Sequence, residues 1–363
     1  MRTTCQVITL GLTLIVAAPA TATAQTRTID LTGRPAAMIS EPVSSVSRGA
    51  ELANGKFVFV DEREVAIQLA DFSADALRVL SRTGSGPGEY RRPMEALADG
   101  KGGAVVPDGA LGRAVLISGG GEVVGTGFDL QTTGVIPGMI RGFDPQGRAY
   151  RRGRAAAARR DSLPIERWDP ATKTVAVLAW QQLVRVQPTP MRKLPDGRMG
   201  GEILAAPELF PMRPDWMPLS DGSVAIVYQA PYRVDVVTPA GKRIVGPVVK
   251  YQPIKVTSAY RTWWSKSQFP AQDDMFPAVL PPVDVLMSQL RASTEGELWV
   301  PRLRDWNDSL PKYDIFDKTG TLTGRALLKP HSHVIGFGRG VIYVARQSQE
   351  DDFWHLEKYP ARP

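Results

Sequence analysis

The sequence of 363 residues contains very little cysteine or histidine. Its single cysteine, Cys5, has no partner for an intramolecular disulfide, and a metal cluster built from cysteines is excluded. Histidine occurs only at His331, His333 and His355, so a zinc site of three histidines would need all of them. The residue types that most often bind transition metals are therefore confined to a few positions.

The chain also lacks an apolar run long enough to span a bilayer comfortably. Its longest such run, residues 6–18, follows Arg2 and precedes Ala22-Thr23-Ala24, which fits the small-residue rule for signal peptidase. We therefore expect a signal peptide at 1–24, cleaved after Ala24, with an uncleaved membrane anchor as the alternative. The remaining chain, 25–363, has no cysteine, 43 basic and 37 acidic residues, and no membrane span. We expect an exported protein, periplasmic or secreted.

Two motifs of nucleotide and hydrolase chemistry are missing. There is no GxxxxGK[ST] phosphate loop and no Gly-x-Ser-x-Gly nucleophile elbow. A Ser-His-Asp triad stays open, because its members are distant in sequence. The adjacent acids Asp273 and Asp274 are weak support for a glycosidase pair, because neighbours in a strand point to opposite faces.

Glycine and proline are abundant, with 34 and 30 residues, and they accompany a repeat. An apolar strand, a glycine turn, a second strand, a hairpin and a further strand recur in units that begin at residues 48, 94, 140, 216, 290 and 333. Three of the spacings are 46, 46 and 43 residues, which matches a β-propeller blade of about 40–50 residues, and the two longer spacings contain insertions. A two-sheet sandwich would explain the strands but not the repeat.

These patterns predict an all-β fold, a single six-bladed β-propeller of four-stranded blades over residues 25–363. The last unit is one strand short, and we expect residues 27–32 to supply that strand and close the ring, because an open edge invites pairing with other chains. One short inserted helix is predicted over residues 256–268, with Thr257 or Ser258 as its cap and Val256, Tyr260, Trp263 and Trp264 on one face.

The stretch Gly84-Ser85-Gly86-Pro87-Gly88-Glu89-Tyr90, followed by Pro93, resembles the connector of NHL-type repeats and of bacterial six-bladed β-propellers with a TolB-like fold. The resemblance implies the propeller fold over residues 28–361 and indicates little about function. Related propellers include exported proteins without assigned activity, metal-dependent lactonases and amidating lyases. Independently of the family, Glu89 is placed to accept backbone N–H groups within this compact bend, which is a structural role.

Candidate ligand contacts lie where blades begin. Arg91 and Arg92 follow the connector, and Arg213 and Trp216 end the proline-rich stretch 181–215, where arginine and tryptophan together are typical of a binding hot spot. Trp216 has the alternative of filling the core between blades. The arginine-rich stretch 148–160 is either a basic patch or a solvated hairpin, and export argues against nucleic acid as its partner.

His331 and His333 are the candidate metal ligands. Two imidazoles can share a metal, but a third ligand from another blade is needed, so a structural role is the alternative. We predict no cofactor for the main interpretation, an exported non-enzymatic binding scaffold and monomer whose partner is an envelope protein, a peptide or a carbohydrate. The alternative is a hydrolase or lyase with calcium or zinc in the axial channel. A channel lined by arginine or apolar side chains would favour the scaffold, and three or more converging Asp, Glu, Asn or His side chains would favour the enzyme.

Overall fold

Six of the sheets in the described part of the chain are arranged as blades around one axis. The computed structural model describes residues 26–128, 140–153, 162–182, 191–193, 199–201, 209–210, 212–267, 275–284 and 290–361. The expected signal peptide, most of the arginine-rich stretch and the acids Asp273 and Asp274 lie outside these residues.

Blades 1 to 3 are four-stranded antiparallel sheets whose strands follow one another from the inside outwards. The strands of blade 1 are Ala50–Glu51, Phe57–Asp61, Ala66–Asp71 and Ala76–Val79. Those of blade 2 are Leu97–Ala98, Ala104–Asp108, Arg113–Ile117 and Val123–Gly127. Those of blade 3 are Ile140–Phe143, Ala149–Arg152, Ser162–Asp169 and Thr174–Gln182.

Blades 4 to 6 repeat this pattern, and the last two also take up strands from the start of the chain. The strands of blade 4 are Asp215–Pro218, Val224–Gln229, Tyr232–Val237 and Arg243–Ile244. Those of blade 5 are Arg291–Ala292, Leu298–Pro301, Lys312–Phe316 and Leu322–Leu328, with Arg27–Leu31 added. Those of blade 6 are Ser332–Gly338, Val341–Gln347, Trp354–Pro360 and Ala37–Met38.

Local sequence explains these strands. Val224–Gln229 reads VAIVYQ, a β-branched and aromatic run whose members are buried on both faces of the blade except Tyr228, as suits a strand between two neighbouring blades. The Asp221-Gly222 turn before it places Gly222 at φ +83°, a backbone conformation that glycine adopts without steric cost. The predicted six-bladed, all-β fold is confirmed.

Six apolar clusters hold the ring together, one at each interface between neighbouring blades. The cluster between blades 1 and 2 includes Val60, Leu69 and Ile117, and the cluster that joins blade 6 back to blade 1 includes Phe57 and Tyr343, whose rings stack at 4.2 Å. The innermost strands of successive blades contact one another all the way round. The ring is therefore closed by packing as well as by strand pairing.

The N-terminal closing strand is present, but the prediction that residues 27–32 complete the last blade is wrong. Arg27–Leu31 runs parallel to Leu322–Leu328 as a fifth strand of blade 5, and Ala37–Met38 pairs antiparallel with Trp354–Pro360 to complete blade 6. Ile29 and Leu31 bury their side chains in the cluster between blades 5 and 6. The pattern of a short apolar strand fits either blade edge, and only long-range pairing decides between them.

The predicted helix is present at Ser258–Ser267, between the strands Ile254–Lys255 and Val279–Leu280, which pair with each other. The Thr257 hydroxyl accepts a hydrogen bond from the backbone amide of Tyr260 at 3.2 Å, as expected of an N-cap. Tyr260 and Trp264 are buried against Phe210 and Phe276, so both long insertions share one apolar cluster. The other insertion contains a hairpin of Met191–Lys193 and Met199–Gly201. Within the described residues, no helix has the length and apolarity needed to cross a membrane.

Closure of the ring can be tested at two neighbouring residues of the closing segment. Ile39 is fully buried and its backbone amide bonds to the Leu356 carbonyl at 3.0 Å, whereas Met38 is 42% exposed. We expect Ile39→Ala to lower the free energy of unfolding by about 2–5 kcal/mol, because it leaves a cavity in the cluster between blades 6 and 1. Met38→Ala is the matched control and should change it by less than about 0.5 kcal/mol. Urea unfolding measures both, and equal effects of the two changes would contradict this account of closure.

Candidate functional site

The innermost strands enclose an axial channel with a volume of about 400 Å³. All six blades contribute to its wall, and that volume lies within the range of about 300–1,000 Å³ typical of small-molecule sites. Three arginines, Arg48, Arg141 and Arg291, are the charged residues of the wall as the structure describes it, and no aspartate, glutamate or histidine is among the described lining residues.

The three arginines occupy similar places in alternate blades. Arg48 lies two residues before the innermost strand of blade 1, Arg141 is the second residue of that of blade 3, and Arg291 is the first residue of that of blade 5. All three therefore lie near the end of the channel at which the innermost strands begin, which we call the mouth. The three arginines thus come from alternate blades, and the Arg48 side chain reaches the Met217 sulfur of blade 4, the blade opposite its own, at 3.6 Å.

Each arginine is held by the blade that follows its own. The Arg48 guanidinium forms an ion pair with Glu95 of blade 2 at 3.0 Å, and Arg141 bonds to Asp215 of blade 4 at 3.0 Å. Arg291 donates from Nε to the backbone carbonyl of Val334 in blade 6 at 3.1 Å. These contacts fix each guanidinium from the side, and neither Glu95 nor Asp215 belongs to the described channel wall.

The arginines lie close enough to influence one another. Burial, and next to it the charge of Arg48, lowers the pKa of Arg291 to about 10, with Arg141 as a further cation that acts in the same direction. Burial followed by the charge of Arg141 also lowers the pKa of Arg152. Arg291 is 6% exposed and remains charged at neutral pH. Like charges brought together in this way destabilise one another until an anion compensates them.

The rest of the wall is mostly apolar. Beyond the mouth, the innermost strands present mainly small and apolar residues to the channel: Ala50, Leu97, Ala98, Phe143, Pro218, Ala292 and Phe337. Ser220, Ser293 and Thr294 add hydroxyl groups near the turns at the other end. The channel thus combines a cationic mouth with a wall suited to an organic group.

The predicted ligand contacts lie outside the channel wall. Arg91 and Arg92 are exposed, and their backbone amides donate to the buried carboxylate of Asp108 at 2.7 and 3.1 Å. Arg213 is exposed as well, and its carbonyl accepts a hydrogen bond from the Gln229 side chain. Contact of these three arginines with a ligand stays a prediction.

Trp216 takes the alternative place that the sequence left open for it. Its side chain is fully buried in the cluster between blades 3 and 4, together with Ile165 and Ile226. The Arg141 guanidinium carbon lies 5.7 Å from the centre of a Trp216 ring, within the range of cation–π attraction. Trp216 therefore has no exposed surface for a ligand. Its contribution to the channel is the contact of its ring with Arg141.

The two candidate metal ligands line a separate cavity of about 140 Å³ between blades 5 and 6. His331 is exposed, whereas the His333 ring packs edge-on against Trp354 with centroids 5.0 Å apart. Three cations, Arg302, Arg304 and Lys312, and one acid, Asp284, line the same cavity. Among the residues that the structure describes, no group of three or more His, Cys, Asp or Glu side chains is placed to hold a metal. In the described part of the chain, therefore, no third His, Cys, Asp or Glu side chain is placed to bind a metal together with His331 and His333.

The connector that carries the family resemblance is structural. Glu89 accepts the backbone N–H of Gly86 at 2.8 Å and pairs with Arg82 at 2.7 Å, as the sequence analysis expected of this bend. A side chain at position 84 would lie 2.1 Å from a Glu89 carboxylate oxygen, which explains the glycine there. The backbone hydrogen bond, and next the bond to Arg82, lower the pKa of Glu89.

Sequence reasoning missed Arg48, Arg141 and Arg291. The signal was present in the repeat itself, because an arginine followed by a small residue lies within the first two residues of the first, third and fifth units, as Arg48-Gly49, Arg141-Gly142 and Arg291-Ala292. An alignment of the six units around their first residues would have brought these three arginines together. Only the closed ring places these residues around one axis.

Comparison with known proteins gives the fold alone. No protein-family model matches the sequence, and no curated protein matches it. Solved structures with a similar chain course include an inferred exported protein of Bacteroides fragilis, which is 10% identical with a TM-score of 0.47 over 92% of this chain and 99% of that one. The calcium-binding protein regucalcin of Agrobacterium tumefaciens is 10% identical with a TM-score of 0.42, covering 93% and 98%. Virginiamycin B lyase of Staphylococcus aureus is 10% identical with a TM-score of 0.40, covering 88% and 97%.

The half-buried His333 predicts a dependence of stability on pH. Burial, and next to it the charge of Arg291, lowers the pKa of His333 to about 3. The unfolded chain binds a proton at this imidazole below pH of about 6.5, whereas the folded protein does not, so the free energy of unfolding falls as the pH decreases through this range. The slope due to this residue approaches about 1.4 kcal/mol per pH unit.

Urea unfolding at several pH values measures this effect. We expect His333→Asn to remove a large part of the loss of stability below neutral pH. His331→Asn is the control and should keep it, because His331 is exposed and its φ of +57° is one that asparagine tolerates. Parallel pH profiles for the protein and for His333→Asn would contradict the lowered pKa.

Proposed function

We propose that this protein is an exported, non-enzymatic binding protein whose axial channel holds an anionic ligand. The single observation that carries the proposal is the convergence of Arg48, Arg141 and Arg291 on a channel whose described wall has no acidic residue. Export rests on the signal peptide expected at residues 1–24. The partner is a small anion or an acidic group on an envelope protein, peptide or carbohydrate, and the binding unit is a monomer.

Physical chemistry supports binding at this place. Guanidinium groups are suited to oxyanions, because their planar N–H donors match carboxylate and phosphate oxygens. Here the donors are fixed before any ligand arrives, since each arginine is held by the next blade, and a preorganised site loses little entropy when it binds. The low exposure of the wall residues further strengthens charge interactions inside the channel.

The alternative, a metal-dependent hydrolase or lyase, requires ligands that are not among the described residues of the channel wall. Calcium prefers carboxylate and carbonyl oxygens, and catalytic zinc uses histidine or carboxylate ligands. The described wall has arginines at its mouth and apolar side chains beyond them, and three cations oppose the entrance of a fourth. The residues present do not fit a divalent metal in the channel, and we derive no reaction through one.

We further infer a place within the wider TolB-like and NHL-repeat-like group of six-bladed propellers. The support is the connector from Gly84 to Tyr90, in which glycines, a proline and Glu89 form the compact bend described above.

Binding can be tested with two probes of the same shape, benzoate and the uncharged benzamide. We expect benzoate, but not benzamide, to bind the purified protein in isothermal titration calorimetry at constant ionic strength. Arg141→Gln should weaken benzoate binding by about tenfold or more, because a hydrogen bond to a charged group contributes about 1.5–3 kcal/mol. Arg63→Gln, at an exposed arginine of blade 1 outside the channel wall, is the matched control and should leave binding unchanged. Equal binding of the two probes, or an Arg141→Gln affinity like that of the control, would contradict an anion site in the channel.

The alternative is tested by the metal content of the purified exported protein after mild dialysis, measured by elemental mass spectrometry. We expect calcium and zinc well below one ion per chain, because no third acidic or imidazole group among the described residues is placed to hold a metal together with His331 and His333. Retention of either metal near one ion per chain would overturn the scaffold proposal and favour the hydrolase or lyase. Lactone, ester and peptide substrates would then be the ones to assay.

A further inference from the structure

Two further arginines lie beside the mouth, where blade 3 meets blade 4. Arg152 is the last residue of the second strand of blade 3, which runs antiparallel to the innermost strand and therefore ends at the mouth. Arg213 lies two residues before Asp215, the residue at which the innermost strand of blade 4 begins. Asp215 in turn bonds to the channel arginine Arg141 at 3.0 Å. Three arginines are thus grouped around one aspartate at this interface.

The alternation of side chains along the strand directs Arg152 towards blade 4. Arg152 shares a face of the strand with Tyr150, and Arg151 between them takes the opposite face. Tyr150 is buried in the cluster between blades 3 and 4. Arg151 forms an ion pair with Glu166 of its own blade at 2.9 Å. The buried acid of blade 3 therefore compensates Arg151 and lies on the side of the sheet that Arg152 does not face.

Arg152 is a half-buried cation whose side chain has no hydrogen bond or ion pair with the residues that the structure describes, and its Nε is shielded from solvent. Two cations, Arg141 and Arg213, and one acid, Asp215, act on its charge, and Asp215 already bonds to Arg141. Removing a charge from water without a partner destabilises a fold. An anion bound at this place would supply the missing acceptor.

Arg213 presents its guanidinium to solvent from a fixed backbone. The Gln229 side chain donates to the Arg213 carbonyl at 2.8 Å, and the Gln181 side chain of blade 3 donates to the next carbonyl, that of Pro214, at 2.6 Å. The Arg213 side chain is exposed and forms no ion pair with the described residues. A ligand can therefore reach this arginine without displacing a protein contact of its guanidinium.

Arg141 connects this place to the channel. It lines the channel wall, and its guanidinium bonds to Asp215 and lies over the ring of Trp216 in the interface between blades 3 and 4. An acidic group in the channel and an acidic group beside Arg152 would both lie next to Arg141. A ligand with one charge compensates one of these two places, whereas a ligand with two charges compensates both.

We propose, building on the function proposed above, that Arg152 and Arg213 form a second anion subsite beside the mouth and that the ligand is a small organic diacid. Its first acidic group binds in the channel, and its second acidic group binds Arg152 and Arg213 at the interface between blades 3 and 4. Arg141 lies between the two groups. The sequence singled out Arg213 as a candidate ligand contact, and this subsite gives that residue its role.

A series of saturated dicarboxylates tests the proposal. Succinate, adipate, suberate and sebacate differ in the separation of their carboxylates, and the monomethyl ester of each keeps the chain and removes one charge. By isothermal titration calorimetry at constant ionic strength, we expect at least one dicarboxylate to bind about tenfold or more tightly than its own ester, because a hydrogen bond to a charged group contributes about 1.5–3 kcal/mol.

Two variants locate the second carboxylate. Arg152→Gln and Arg213→Gln should each weaken binding of the preferred dicarboxylate by about tenfold and leave binding of its ester and of benzoate unchanged. Arg63→Gln removes the same charge at an exposed arginine of blade 1 and should change none of these affinities. Because Arg213 is exposed, its variant tests binding without disturbing a packed side chain.

Thermal unfolding tests Arg152 without a ligand. Since its charge has no described partner, Arg152→Gln should unfold at a midpoint equal to or above that of the unchanged protein in dilute buffer, and suberate should raise the midpoint of the unchanged protein more than that of the variant. A clear decrease of the midpoint in Arg152→Gln would show that Arg152 stabilises the fold through a partner of its own, and would overturn the second subsite.

The outcomes separate this inference from the proposal on which it rests. Dicarboxylates that bind no more tightly than their esters at any length, or a preference that either variant retains, would overturn the second subsite. If benzoate still binds and Arg141→Gln weakens it, the anion channel stands. Failure of benzoate and of every ester to bind, or binding that Arg141→Gln does not change, would overturn the anion channel together with the diacid.

Discussion

The pairing of Ala37–Met38 with Trp354–Pro360 is the constraint on which the rest of the structure depends. Blade 6 has only three strands from the C-terminal part of the chain, and the start of the chain supplies the fourth. This pairing brings blade 1 against blade 6, where Gly49 bonds to the Ile335 carbonyl. Arg48, next to Gly49, thereby reaches the same axis as Arg291. An open ring would keep every blade and lose the channel, because the channel wall needs all six innermost strands.

The excess of arginine in this protein serves two different purposes. Towards the outside of the ring, buried acids on the third strand of a blade each hold two cations: Asp235 holds Arg233 and Arg243, Asp314 holds Arg302 and Arg325, and Glu357 holds Lys329 and Arg346. A buried acid without such partners would destabilise the fold, so those cations are needed for structure. At the mouth of the channel, three arginines have only two acids beside them. The positive charge that is not compensated by acids therefore lies at the mouth of the channel.

The repeat predicts the ring because its signals are local. Turns such as Asp221-Gly222 and runs such as Val224–Gln229 specify strand and hairpin within a few residues, and the capped aromatic stretch after Thr257 specifies the helix in the same way. The closing strand was misassigned, since Ile29–Leu31 and Ala37–Ile39 are both short apolar stretches and their pairing partners are some 300 residues away. Arg48, Arg141 and Arg291 were not predicted as site residues, because their place around the channel likewise depends on contacts between distant parts of the chain. Each is an ordinary surface-type residue in its own segment, and it becomes part of a site only when three units that begin at residues 48, 140 and 290 meet on one axis.

This arrangement explains how one fold serves unrelated ligands. Packing between blades fixes where the innermost strands begin, and several of their residues, such as Ala50, Leu97 and Ile140, belong to the clusters between blades. Arg48, Arg141 and Arg291 line the channel and belong to none of these clusters, so that packing leaves the identity of their side chains nearly free. The position is thus determined by the fold and the chemistry by the side chain. In this chain arginine in alternate blades, with an acceptor in each blade between them, gives the mouth of the channel three guanidinium groups. The same backbone with acids at positions 48, 141 and 291 would have a negatively charged mouth, so these three side chains, more than the propeller itself, set the charge of the channel.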